Sequence, residues 1–133
     1  MAKVKGDGMV KEKTWDIRER TLEYGVRAVR LYRALVKMKD GAALILGKQY
    51  LRSATSVGAN IAEALSAESA ADFIHKHSIA QKEARESQYW LALLERSEIL
   101  SSTGLSDIKQ ETDELIAILT TIIVKRKKHL NSG

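Results

Sequence analysis

Residues 52–65 read "RSATSVGANIAEAL". The chain on both sides has the spacing of strong helix, but here it turns to Ser, Ala, Thr, Gly and one Asn. The chain contains no Pro, so nothing forces a break. The stretch reads as a helix whose small residues, Ser53, Ala54, Ser56, Gly58, Ala59 and Ala62, admit a neighbouring helix at close range. On this reading Gly58 costs about 1 kcal/mol of helix propensity and is kept for contact. Asn60 becomes a partly buried amide that needs partners, and Glu63 a second buried polar group. The other reading of the same residues is a face that binds a small molecule or a backbone.

Working outward, the small run closes a second helix that starts near Ala42 with Leu44, Ile45, Leu46, Tyr50 and Leu51. Asp40 and Gly41 form the turn before it. Thr14 can cap a first helix running to about Met38. That helix carries two apolar stripes at three-and-four spacing. Trp15, Leu22, Val26, Val29 and Val36 form one; Ile17, Tyr24, Ala28, Leu31 and Leu35 form the other. Two stripes exceed what one core contact needs, which suggests burial on two sides. Ser69 with Asp72 resembles a capping box and starts a third helix, expected from about Ala70 to Leu100. Its inward stripe is Phe73, His77, Ala80, Ala84, Ser87, Leu91 and Leu94. The small middle of that stripe, Ala80, Ala84 and Ser87, is the natural neighbour of the small run in the second helix. Gly104 suits a C-terminal cap, and Ser106 would cap a fourth helix from about Asp107 to Lys127. The fold class expected is all-α, an antiparallel up-down-up-down four-helix bundle. Residues 1–13 read as a disordered tail, 14–128 as one domain, and 129–133 as a frayed end.

The composition excludes several chemistries. There is no Cys, hence no disulfide framework, thiolate nucleophile or Cys-based zinc site. No Glu-x-x-His pair repeats; Asp72 and His75 form a single near match. His77 falls on the core stripe and reads as a buried histidine. No Gly-rich phosphate loop and no activated Ser motif is present. Glu83 and Glu86 around Arg85 read as a solvated or inter-subunit charge set rather than an acid–base pair. The expectation is a protein that is not an enzyme, with no catalytic residues, no metal and no cofactor. No stretch reaches the roughly 20 apolar residues of a spanning helix, and no signal peptide is visible; a cytoplasmic protein is expected.

The net charge is +5, and residues 1–40 alone hold 11 basic and 6 acidic groups. Arg20, Arg27, Arg30, Arg33 and Lys37 fall on one broad face of the first helix, about 25 Å long. Such a row can follow a phosphate backbone, with affinity falling as salt rises. The competing reading is a solvated face, because Asp16, Glu19 and Glu23 are interleaved. Lys125 to Lys128 form a second cluster, which also suits a helix C-terminus. Backbone or shape recognition with little base readout would follow. The surplus apolar surface of the first helix, with Trp90 and Leu93 outside the third-helix stripe, points to self-association.

The stretch 51–64, "LRSATSVGANIAEA", followed by 69–94, "SAADFIHKHSIAQKEARESQYWLALL", resembles the four-helix-bundle proteins encoded in 23S rRNA intervening sequences. The resemblance extends from about Ile17 to Lys127. Ala64 stands where that family usually has Gly. The resemblance implies a ring-like homo-oligomer, commonly a homopentamer. It also implies similarity to the accessory proteins of diversity-generating retroelements, which bind nucleic acid and contact a reverse transcriptase. It supplies no catalytic residues. The matched positions Arg52, Ser53, Ser56, Gly58, Asn60, Glu63, Glu83, Arg85 and Glu86 are expected to be structural. The function expected is nucleic-acid binding, mainly RNA, through Arg20, Arg27, Arg30, Arg33 and Lys37. The rival expectation is a protein-interaction scaffold that binds a protein partner and no nucleic acid. No membrane partner is expected.

Overall fold

The computed structural model describes residues 16–132. Within them the chain forms four helices and no strand: α1 (Ile17–Lys37), α2 (Gly41–Ala64), α3 (Ala70–Arg96) and α4 (Ser102–Ser132). The expected tail 1–13, Thr14 and Trp15 lie outside the described residues, as does Gly133.

Each helix start has a polar cap. Asp16 accepts from the Glu19 amide, Asp40 from the Ala43 amide and Ser69 from the Asp72 amide. A side-chain oxygen at that position satisfies one of the amides that a helix leaves unpaired. Asp16 therefore serves α1 where Thr14 was expected. The α1–α2 turn closes at Lys39, whose φ of 55° is left-handed. Asp40 is the cap and Gly41 is already helical.

The end of α3 differs from the expectation. The helix stops at Arg96, not Leu100. Glu98 adopts a φ of 61°, and the amides of Ile99 and Leu100 both turn back to the Leu94 carbonyl. Ile99 and Leu100 then pack on the core instead of continuing the helix. The start of α4 moves with it. Ser101 accepts from the Gly104 amide at 2.9 Å, so Gly104 lies in the first turn of α4 and caps nothing. Ser106 lies one turn inside. Asp107 is likewise internal, and α4 runs through 129–132, where fraying was expected.

The core lies along α2 and α3. One cluster joins Tyr24, Ala28 and Leu35 of α1 to Tyr50 and Ala54 of α2, Leu91 and Leu94 of α3, and Leu115 of α4. A second joins Val57 and Ile61 to Ala80, Ala84, Ile116 and Leu119. The small-residue contact between α2 and α3 is present: Ser53 and Ser87 hydroxyls meet at 2.8 Å, both fully buried. Gly58 does something else. A Cβ there would stand 3.0 Å from the Thr21 carbonyl oxygen and 3.2 Å from its carbon. Its close approach is to α1, so the small run serves two neighbours rather than one.

The α1–α4 contact is thinner than the other three helix pairings. It is held by polar groups: Tyr24 and Thr112 share a buried hydrogen bond of 2.6 Å. Tyr50 stacks edge-on against Tyr24, with ring centroids 6.4 Å apart. Its hydroxyl is the one buried side-chain polar atom without a partner among the described residues.

Candidate nucleic-acid interface

The basic face of α1 divides once the helix is packed. Arg20 donates from Nη2 to Glu111 at 2.6 Å and to Glu114 at 2.9 Å, and from Nε to Glu111 at 3.1 Å. The Glu111 hydrogen bond, against some opposing burial, holds the guanidinium above its already high pKa. Arg20 is thus a neutralised clamp between α1 and α4, and it offers no free charge to a phosphate. Arg27 is half-buried, while Arg30, Arg33 and Lys37 are exposed. None of these four forms a hydrogen bond or ion pair with another described residue. At 3.6 residues per turn, Arg27, Arg30 and Lys37 share their side of the helix with Glu19 and Glu23, whereas Arg33 falls among Leu22, Val26, Val29 and Val36.

Those four apolar residues are the second stripe, and no described element covers it. Leu22 is 60% exposed, Val36 43%, Val26 37% and Val29 36%. With Arg33 they repeat at four-three-four-three spacing, as a helix-pairing seam does. Against α2 the seam borders a shallow groove of about 510 Å³, floored by Gly25, Thr55, Gly58 and Ala59. Small residues that bring α2 close to α1 also leave this groove wide. The expected two-sided burial of α1 is therefore one-sided among the described residues.

Most of the residues that carried the motif make contacts within the bundle. Arg52 reaches Glu83 and Glu86 on α3. Glu86 also accepts from the Trp90 indole at 2.9 Å. The indole first, then Arg52, keeps the Glu86 carboxyl below the ordinary carboxylate range. Ser56 donates to the Arg52 carbonyl, and Asn60 donates to the Ser56 carbonyl at 2.9 Å, which satisfies the half-buried amide within its own helix. Glu63 is a correction: it is exposed and pairs with Lys76 at 2.6 Å. Arg85 is exposed and makes no hydrogen bond or ion pair with a described residue, so the expected structural role finds no contact to support it.

At the far end, Arg126 lies 3.9 Å above the Phe73 ring, which stacks at 4.1 Å on His77. His77 is buried, its Nδ1 2.9 Å from the Phe73 carbonyl oxygen. Burial pushes its imidazole below the usual pKa, with Arg126 adding to the effect. Among the described residues no group of His, Asp or Glu is arranged to hold a metal, and no helix is long and apolar enough to cross a membrane.

The Arg20 clamp has no local signature in the sequence. Its partners lie 91 and 94 positions away, and only their acidic character was visible.

A family model described as 23S rRNA-intervening sequence protein matches residues 16–121. Among solved structures, the chain is similar to a protein of unknown function from the S23 ribosomal protein family of Bacteroides thetaiotaomicron. The two are 44% identical, with a TM-score of 0.76, and the match covers 80% of this chain and 97% of that one. No curated protein matches.

Proposed function

Because the chain belongs to the 23S rRNA-intervening sequence protein family, we propose that it is a non-enzymatic, cytoplasmic RNA-binding protein that works as a homo-oligomer, most simply a pentameric ring of up-down-up-down bundles. The observation that carries the nucleic-acid half of this reading is the set Arg27, Arg30, Arg33 and Lys37. Four cations on one helix have no ion-pair partner among the described residues. A ring would repeat them around an axis and add their fields. The self-association half rests on the exposed seam of Leu22, Val26, Val29 and Val36, since exposed apolar patches of this kind mark contact sites. Kinship with the accessory proteins of diversity-generating retroelements belongs to the same proposal.

A salt series tests it. RNA affinity should fall steeply between 50 and 200 mM salt, as expected for phosphate contacts. Replacing Arg27, Arg30 and Arg33 together by Gln should weaken binding and flatten the salt slope by about two to three units. Unchanged binding in that variant overturns the assignment to α1. The rival, a scaffold for a protein partner, draws on the same seam. It prevails if the wild type binds neither RNA nor DNA at low salt.

A further inference from the structure

The exposed face of α3 carries a second concentration of cations, arranged differently from that of α1. Lys82, Arg85, Tyr89 and Arg96 fall within an arc of about 60° on the helix and span about 21 Å along it. All four are exposed, Tyr89 by 59%. None makes a hydrogen bond or ion pair with another described residue. The Tyr89 ring stands edge to face with its neighbour Trp90, centroids 5.0 Å apart. No acidic residue of α3 shares the arc. Glu86 lies about 40° beyond Lys82, one turn away, and feels its charge, but its hydrogen bonds go to the Trp90 indole and Arg52; Glu95 is held by Lys109. Across the boundary to α4, Asp113 accepts from Gln88 at 2.7 Å.

The sidedness separates this face from α1. There, cations alternate with Glu19 and Glu23 and the apolar residues are aliphatic. Here, the carboxylates bordering the row, Glu83, Glu86 and Glu95, are hydrogen-bonded to Arg52 or Lys109 instead of to these cations, and the large exposed side chain is aromatic. A row of unpaired cations matches a polyanion. An exposed aromatic ring set within that row matches the π-face of an unpaired base, which stacks with little regard to sequence. A duplex keeps its bases stacked inside and cannot use the ring.

We propose that Lys82, Arg85, Tyr89 and Arg96 form a binding site for single-stranded nucleic acid, with a base stacked on Tyr89 and phosphates on the three cations. The site rests on the nucleic-acid reading above and adds a strand preference to it.

The test uses the full chain and fluorescein-labelled twelve-nucleotide oligo(U), oligo(dT) and a duplex RNA, followed by anisotropy at several salt concentrations. Tyr89→Ala should weaken oligo(U) and oligo(dT) binding about tenfold and leave duplex binding unchanged. Tyr89→Phe should retain wild-type affinity, because the ring is kept. Replacing Lys82, Arg85 and Arg96 together by Gln should lower the single-strand salt slope by about two units. The inference is overturned if Tyr89→Ala binds single strands as the wild type does, or if its effect is a change in native mass instead. If the α1 variant alone abolishes binding and the α3 variants do not, the α3 site falls while the proposed function stands. If the wild type binds no oligonucleotide at low salt, both fall.

Discussion

Leu35 and Val36 are adjacent on α1, and they differ in almost everything the fold decides. Leu35 is fully buried, its side chain over Gly47 of α2, whereas Val36 is 43% exposed. The same contrast runs the length of the helix. Tyr24, Ala28 and Leu35 face the core, while Leu22, Val26 and Val29 border an open groove. Both faces have helical apolar spacing, so composition cannot distinguish them. What separates them is supply. The inner face meets α2 and α4, and the outer face meets no other element among the described residues. A seam left open within one chain is where a second chain can be recruited.

The sharpest way to break this contrast is to cut it at neighbouring positions. Leu35→Ala should cost about 2–5 kcal/mol in urea unfolding of dilute protein. Val36→Ala should stay within about 0.5 kcal/mol under the same conditions. Equal losses would mean that the outer face is already covered within one chain.

Gly58→Val probes the α1–α2 approach from the other side. The new Cβ meets the backbone of Thr21 rather than a side chain that can turn away. A loss of about 1–3 kcal/mol is expected. A neutral result would show that α1 can slide outward, and that the groove is not fixed by the small run.

Ser53 and Ser87 set the α2–α3 contact apart as a closed one. A double-mutant cycle with Ser53→Ala and Ser87→Ala should give a coupling of about 1 kcal/mol. Additive losses would mean that each hydroxyl is satisfied by its own helix, since Ser53 also reaches the Tyr50 carbonyl and Ser87 the Glu83 carbonyl.

The smallest effect is expected at His77. Its folded pKa lies below the ordinary value near 6.5, chiefly through burial. The unfolded chain therefore takes up a proton first as pH falls, so stability should drop as pH descends below about 6.5. Thermal melts at pH 7.5 and 5.5 should separate more for the wild type than for His77→Gln. Glu86 acts in the same direction, but within and below the ordinary carboxylate range. Identical pH dependence in the two proteins would mean that His77 contributes nothing to it.

The sequence made the four helices and most of the α3 inward stripe legible, from His77 to Leu94, because apolar spacing is a local signal. Ser69 was visible as a cap for the same reason. The α3–α4 boundary was misplaced because Gly104 and Ser106 have the residue types of a cap and a start, while the real turn uses a left-handed Glu98 and a Ser101 cap. A left-handed glutamate has no sequence signature. Long-range pairing was out of reach. The basic row on α1 was visible, but the withdrawal of Arg20 by Glu111 and Glu114 depends on how α4 lies against α1. The two apolar stripes were visible too. Only the packed chain shows which of them stays open.

Native mass spectrometry across a hundredfold dilution, on the wild type and on Leu22→Glu/Val26→Glu, bears most directly on the open seam. The wild type should be a particle of several chains, and the variant a folded single chain. A wild type that stays a single chain at every concentration would contradict self-association through the seam.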